Sequence, residues 1–441
     1  MVNVRRADRL AHVRVGSAGQ TAQGLSAQLE YYNIPVHFPR VGEQMTGTPT
    51  SMPMGVNARL GAKTGAGRLH SIDALRGFVM VLMLLDHLRE TWFLHVPVAD
   101  PIDANTALPA MYWARLAVSL CAPIFVALTG VSAYLFSTKH TLAETRMYLI
   151  KRGLVLMALE VFFLSELYWG IAAPTFWLQV IWCIGVCMIV LALLIGLPRR
   201  LLIAGGLLIV CGHNLLDGIR LEPGHPLFAP WAMLHQRDVI DLPFGFVAKT
   251  TYPVLPWIGV IVLGFAIGPW FSPNVDATTR RRQLVGLGAA MLLAFFLLRL
   301  WNGYGDTPWF VVESDPMRTV MSFLALTKYP PSLLFLLLTL GVGALLLAGF
   351  ELLRQGRITA ALAVFGAAPM FFYLLHLSVL RVLYHSALAI WGPNQGSVFG
   401  VENYGWVLVW YAALIIPLYI PTAWFSRFKA ARRDIAWLKY L

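Results

Sequence analysis

SIDALRGFVMVLMLLDHLRETWFLH, residues 71–95, sets an apolar run between two charged clusters. The span we assign, 77–94, is close to the roughly 20 residues an α-helix needs to cross a bilayer at about 1.5 Å per residue. A helix on the surface of a soluble protein would carry a polar face, and GFVMVLMLL at 77–85 has none. Comparable runs recur at about 111–136, 153–172, 175–197, 201–218, 252–271, 284–301, 331–352, 361–390 and 405–425. The fifth is the weakest, because His213, Asn214 and Asp217 interrupt its end. The whole chain of 441 residues is 58% hydrophobic and 13% charged, with a mean hydropathy of +0.66. That is too little polar surface to coat a soluble globule. The sequence therefore predicts an all-α integral membrane protein, a bundle of about ten transmembrane helices.

The charge balance is basic, with 34 Lys and Arg, 22 Asp and Glu, and a net charge of +12. Such a balance also marks nucleic-acid binders, so the placement of the cations decides. Lys139, Arg146, Lys151 and Arg152 fall in one connection. Arg199 and Arg200, then Arg280, Arg281 and Arg282, then Arg354 and Arg357, and five more over 427–439 fall in alternate later ones. The opposite connections hold only Arg220, Arg237, Lys249, Arg318 and Lys328, spread over two long loops. This asymmetry is the positive-inside pattern, and an even number of spans with both termini cytoplasmic satisfies it throughout. The basic charge is thus mainly an orientation device and argues against nucleic acid.

Residues 1–67 are rich in Gly, Pro, Ser, Thr and Arg, without an apolar run, and read as a disordered cytoplasmic arm. Residues 68–425 form the membrane domain and 426–441 a basic cytoplasmic tail. Cys121, Cys183, Cys187 and Cys211 all sit inside apolar runs without the spacing of a zinc site, so neither metal nor redox chemistry is assigned.

Ionisable groups inside a membrane are costly and become functional candidates for that reason. In the first helix Asp73 and Arg76 stand at the cytoplasmic start, and Arg76 and His87 are eleven apart. That spacing puts them on nearly the same face, roughly 16 Å apart along the axis. His87 is the candidate catalytic base, since a buried imidazole stays neutral and can accept a proton. A base needs an orienter, which must come from another helix. Asp86 adjoins His87 but points about 100° away, toward Arg89 or Glu90. His95 follows in the loop as a weaker catalytic candidate. Tyr373 and His376, then Arg381 and His385, lie in the ninth span and can converge with His87 at one depth. Glu160, in the middle of its span, needs a partner or a proton, with a helix–helix hydrogen bond as the alternative, and Arg115 is available to pair with it, to bind substrate or to snorkel to the interface. Packing roles compete with each of these readings. The loops at about 219–251 and 302–330 interleave Trp231, Trp301, Tyr304 and Trp309 with Asp238, Asp306 and Glu313, a mixture suited to sugars and equally to a membrane-interface belt.

With RLHSIDALRGFVMVLMLLDHLR, APIFVALTGVSAYLF, KRGLVLMALE, YPVLPWIGVIVLGFAIG, KYPPSLLFLLLTLG and FGAAPMFFYLLHL in order from about residue 68 to residue 390, the chain resembles the heparan-alpha-glucosaminide N-acetyltransferase catalytic-domain family, akin to the wider transmembrane acyltransferases. The resemblance implies an enzyme that takes an acyl group from cytoplasmic acetyl-CoA or another acyl-CoA and delivers it to an acceptor, usually a glycan, on the other side. It places catalytic roles on His87 and His95, with Asp86 beside them. It also implies that Arg76 contacts coenzyme phosphate; Asp73 and Arg152 join it as the coenzyme-side set. Tyr373, His376, Arg381, Arg115 and Glu160 form the acceptor-side set. Partners are then membrane lipid and an extracytoplasmic glycan or small-molecule acceptor, a homodimer is compatible, and the location is a bacterial inner membrane. Two other readings use the same buried His, Glu and Arg: a proton-coupled transporter or flippase, and a non-catalytic scaffold.

Overall fold

A computed structural model of the chain describes residues 70–93, 95–96, 102–165, 175–353, 356–432, 434–435 and 438. All lie within the unit Thr64–Leu441. The expected N-terminal arm, the far end of the third expected span, and Arg354, Arg433 and Lys439 fall outside the described residues.

The fold is built around α1 (His70–Trp92), whose buried side chains include Ile72, Val79, Leu84 and Leu88. Around it stand α2 (Pro109–Val118), α3 (Cys121–Ser137), α11 (Leu333–Leu352), α12 (Arg357–Ala367), α13 (Pro369–Trp391) and α14 (Tyr404–Ala431). Being covered on every side, α1 has no use for a polar face, and its polar groups meet protein rather than lipid. The closest of these packings is with α12. A Cβ on Gly77 would lie 1.7 Å from the Leu362 carbonyl oxygen, and one on Gly366 would lie 1.8 Å from that of Asp73. Only glycine at both positions lets the two backbones touch. The same device joins α3 to α8 (Leu255–Ile267) through Gly130 and Gly264.

The remaining helices are α4 (Leu142–Leu159), α5 (Val180–Leu194), α6 (Arg199–Gly212), the short α7 (Phe228–Leu234), α9 (Ala277–Trp301) and α10 (Pro316–Leu324). Where α1 begins, Arg146 donates to the Ala192 carbonyl (3.1 Å), Arg199 donates to the Ala266 carbonyl (2.7 Å), and Arg280 pairs with Glu351 (2.5 Å), which also accepts from Ser71. Arginines thus neutralise carbonyls at the ends of α5 and α8. At the opposite end α6 grips the start of α11: the His213 ring bonds the Pro331 carbonyl at 2.8 Å, and the Leu333 amide donates to Asn214 at 2.9 Å.

Among the described residues, six stretches are long and apolar enough to cross a membrane: Pro109–Ser137, Arg199–Leu216, Ala277–Trp301, Leu333–Leu352, Pro369–Trp391 and Tyr404–Ala431. Val180–Leu194, Leu255–Phe271 and Arg357–Ala367 are shorter apolar helices. Phe162, Leu208, Leu215, Leu300 and Ile416 are exposed on outer faces, where lipid would cover them. The chain is an integral membrane protein.

Several expected spans are not simple helices, and the second, at 111–136, divides between α2 and α3. The ninth, at 361–390, is two helices broken at Ala368, whose φ of −134° and ψ of 56° are not helical, and restarted at Pro369, which has no N–H to give the preceding turn. Gly366 meets the start of α1 and His376 meets its later half, so α12 and α13 both run alongside α1 in its own direction. The third passes from α4 into one π-helical turn, Glu160–Leu164. The fourth opens as a strand: β1 (Thr175–Leu178) pairs in parallel with β3 (Val247–Thr250), which pairs antiparallel with β2 (Val239–Asp241). Among the described residues this small sheet is the departure from an all-α bundle.

Candidate functional site

A cavity of about 380 Å3 opens between α1, α3, α4, the sheet and α13. His87, Asp86 and Glu90 line it from α1, Arg115 from α2, Arg152 from α4 and Tyr373 from α13. Trp177 and Gln179 line it beside the sheet, and Arg237, Tyr252, Lys328 and Tyr329 line it from the connections that precede α8 and α11.

His87 on its wall is paired with a second imidazole, the buried His376 behind it. His87 Nδ1 and His376 Nε2 are 2.7 Å apart, with ring planes within 10° of each other. His376 Nδ1 lies 2.7 Å from the Phe372 carbonyl oxygen one turn back in α13. A carbonyl only accepts, so for neutral rings the hydrogen-bond network assigns the proton of His376 to Nδ1 and the lone pair to Nε2. His87 must then donate from Nδ1, and its own Nε2 keeps a lone pair. The chain Phe372 carbonyl, His376, His87 thus fixes one tautomer of a cavity-lining imidazole, as the third member of a catalytic triad does for its base. Tyr373 packs edge-on to both rings, at 5.8 Å from His87 and 5.6 Å from His376. The restart at Pro369 sets the rotation of α13, and spacings of three and four then aim Phe372, Tyr373 and His376 at one place.

Asp86 is tied to Arg115 in an ion pair and lies 3.4 Å from Arg89, whose guanidinium also donates to Glu90 at 2.9 Å. Arg115 reaches on to the Tyr329 hydroxyl at 3.4 Å. Asp86 is therefore a structural counter-ion that locks α1 to α2, and its expected neighbour Arg89 is one of two partners. Glu160, for which Arg115 was only one possible partner, is buried and accepts from the amides of Ile181 and Trp182 at 3.0 and 3.4 Å. It satisfies orphan N–H groups at the start of α5, where Gln179 supplies no side-chain cap. Those donors are backbone, so sequence gave no sign of them.

The other expected residues are dispersed. Arg76 is held by Asp73 (3.4 Å), the Leu128 carbonyl (3.3 Å) and Ser132, outside the residues lining the cavity. Arg152 is inside that lining and donates to the Tyr148 hydroxyl at 2.7 Å. His95 sits against Phe93 and Gly400, and neither it nor Arg381 lines the cavity.

Sequence reading assigned no site role to Lys328, Tyr329 or Tyr252. Tyr329 and Tyr252 meet edge-on at 5.0 Å, and Arg237 and Lys328 lie 5.3 and 5.2 Å from the centre of the Tyr329 ring. Burial pushes the Tyr329 phenol up, but Lys328 and Arg115 outweigh it and leave the phenol below the ordinary tyrosine value. Lys328 and Tyr329 head KYPPSLLFLLLTLG, so the signal was present in the chain. Among the described residues no group of three His, Cys, Asp or Glu is arranged to hold a metal ion.

The family model for heparan-alpha-glucosaminide N-acetyltransferase, catalytic, matches residues 68–300. That range takes in His87, Asp86, Arg115 and Arg152, while Tyr329, Tyr373 and His376 lie beyond it. A search of curated proteins finds no match.

Proposed function

The chain belongs to the heparan-alpha-glucosaminide N-acetyltransferase catalytic family, and we propose that it transfers an acyl group, acetyl in the first instance, from cytoplasmic acyl-CoA to an extracytoplasmic acceptor such as a glycan. The observation that carries this reading is His87 on the wall of a cavity lined by several Arg and Lys side chains, hydrogen-bonded to the fully buried His376 behind it. In this reading the acceptor hydroxyl or amine gives its proton to His87 Nε2 as its oxygen or nitrogen attacks the thioester carbonyl. The carbon–sulfur bond then breaks, and the departing thiolate takes that proton back from His87, leaving acylated acceptor and free coenzyme thiol. His376 holds the tautomer, and Tyr373 is assigned to the oxyanion that forms on the thioester carbonyl. His376 thus moves from an expected acceptor contact to a positioning residue.

The coenzyme end of the cavity is assigned to Arg152, because an arginine suits phosphate and Arg76 is committed to Asp73 and Ser132. Ten alternating passes, with both termini cytoplasmic in a bacterial inner membrane, would bring Arg152 within reach of the donor and turn the Lys328 loop toward the acceptor.

Purified protein in liposomes, given radiolabelled acetyl-CoA and a panel of glycans and small amines, tests the reading. Donor-dependent label on an acceptor that His87→Ala abolishes is the expected result. Full transfer by the variant, or acceptor flux that needs no thioester, would overturn it, the latter in favour of a transporter.

A further inference from the structure

The hairpin that joins β2 to β3 reads DLPFGFV over 241–247, with no charge between Asp241 and Lys249. The Leu242 amide donates to the Phe246 carbonyl at 2.8 Å and closes it. At its tip Phe244 has a φ of 65° and a ψ of 22°, left-handed backbone that glycine enters freely and phenylalanine does not. The Phe244 side chain is also 97% exposed. A strained backbone and an uncovered aromatic ring are two separate costs, and a ring so exposed gains little from its own chain to offset them. Contact with something outside the chain would.

The ring is not an isolated surface residue. Phe246, itself exposed, stacks on Phe176 of β1 at 5.3 Å with the planes within 13°. Strand β1 is tied in turn to the π-helical turn that follows α4, since Ser165 accepts from the Trp177 amide at 3.2 Å. That turn exposes Phe162 and Phe163 on the lipid-facing side of the bundle, at the end of α4 away from the start of α1. An apolar strip therefore leads from the bilayer-facing surface of α4 to the hairpin tip. Successive residues of a strand face opposite ways, so Trp177 turns from Phe176 to the other face of the sheet. There the Lys249 ammonium lies 4.6 Å from the centre of the Trp177 ring, and Trp177 lines the His87 cavity. Phenylalanine at the tip with tryptophan and lysine behind it is the order of side chains suited to the boundary between acyl chains and headgroups. The backbone of a turn is too polar for hydrocarbon, whereas the side chain at its tip is not.

We propose that the β2–β3 hairpin is a membrane finger, whose Phe244 side chain, with Phe246 beside it, inserts among lipid acyl chains at the bilayer surface away from the start of α1, while Asp241 and Lys249 stay among the headgroups. Lipid is the partner because the strip that ends at Phe244 begins on the surface that lipid covers. The finger anchors the strand pair that carries Trp177 and so holds that wall of the cavity at a fixed height in the bilayer. It does not depend on the reaction assigned to the cavity.

Cys121, Cys183 and Cys187 are buried and Cys211 is exposed, so a Cys211→Ser background leaves an introduced thiol as the accessible one. The full-length Phe244→Cys protein on that background is spin-labelled, reconstituted in nanodiscs of phosphatidylcholine and phosphatidylglycerol, and power-saturated in the presence of oxygen, which concentrates in the bilayer, or of a water-soluble nickel chelate. The ratio of oxygen to nickel accessibility is expected to be several-fold higher at Phe244→Cys than at Glu222→Cys, an exposed position outside the hairpin. A second variant removes any insertion driven by the label itself. With the label at Asp241→Cys, adding Phe244→Asp is expected to raise nickel accessibility, because a carboxylate at the tip is expelled from hydrocarbon. Equal ratios at 244 and 222, or no response at 241 to Phe244→Asp, would overturn the proposal. So would dipolar broadening at 244 that disappears on dilution with unlabelled protein, which would place a second copy of the chain against the tip in place of lipid.

Discussion

At the scale of single residues the account rests on one lone pair, that of His87 Nε2, and on the residue that keeps it there. Replacing His87 by Ala is expected to lower turnover on the order of 10²- to 10⁴-fold, the usual worth of a positioned general base. His376→Ala is expected to lower it by about 10- to 100-fold, as loss of an orienting partner typically does. The fall should appear in kcat with KM nearly unchanged. His376→Gln should recover part of it, because an amide oxygen can still accept from His87 Nδ1; no recovery together with a raised KM would mean that His376 binds acceptor after all. His87 was legible in the sequence because an imidazole inside an apolar run has few inexpensive explanations. The role of His376 was not: its contact with His87 spans 289 residues of chain, and its tautomer depends on a carbonyl that every residue carries. Glu160 was visible for the same reason as His87, but its partners were not, since they are the amides of Ile181 and Trp182.

At the scale of elements, α1 packs on α12 and its Ser71 reaches the Arg280 and Glu351 pair that joins α9 to α11. The glycine contact between α1 and α12 leaves no room for a side chain, so Gly77→Val is expected to destabilise the protein by about 1–3 kcal/mol or more, read as a lower melting temperature and loss of the monodisperse peak in detergent. Gly205→Ala, with nothing within 4 Å of its added Cβ, is the control expected to be neutral. Glu351 pairs with Arg280 at 2.5 Å with both side chains nearly covered. Glu351→Ala would strand that arginine at a cost of about 3–5 kcal/mol, whereas an unchanged melting temperature would show the pair to be dispensable. The apolar runs announced most of the helices. They could not announce where a run changes character, because apolar periodicity alone does not separate a short buried strand from a helix; TFWL at 175–178 reads equally well as either. Pro369 was the exception, a visible breaker inside the run at 361–390.

At the scale of the whole molecule, membrane insertion followed from composition, and orientation follows from where Lys and Arg fall. On a Cys211→Ser background, Lys139→Cys and Thr278→Cys are expected to react only with a reagent that reaches the cytoplasm, and His225→Cys and Glu313→Cys with an impermeant reagent outside; the reverse pattern would turn the site around. The cavity itself could not be read from the chain, because it is assembled from α1, α2, α4, α13 and the connections that precede α8 and α11, all distant in sequence. The most direct measurement of transmembrane acyl transfer is a sided one. Sealed proteoliposomes of uniform orientation receive radiolabelled acetyl-CoA on the face bearing Lys139, with acceptor confined to the opposite face. The account predicts labelled acceptor on that opposite face, dependent on His87. Transfer only when donor and acceptor share a face, or transfer that persists in His87→Ala, would contradict it.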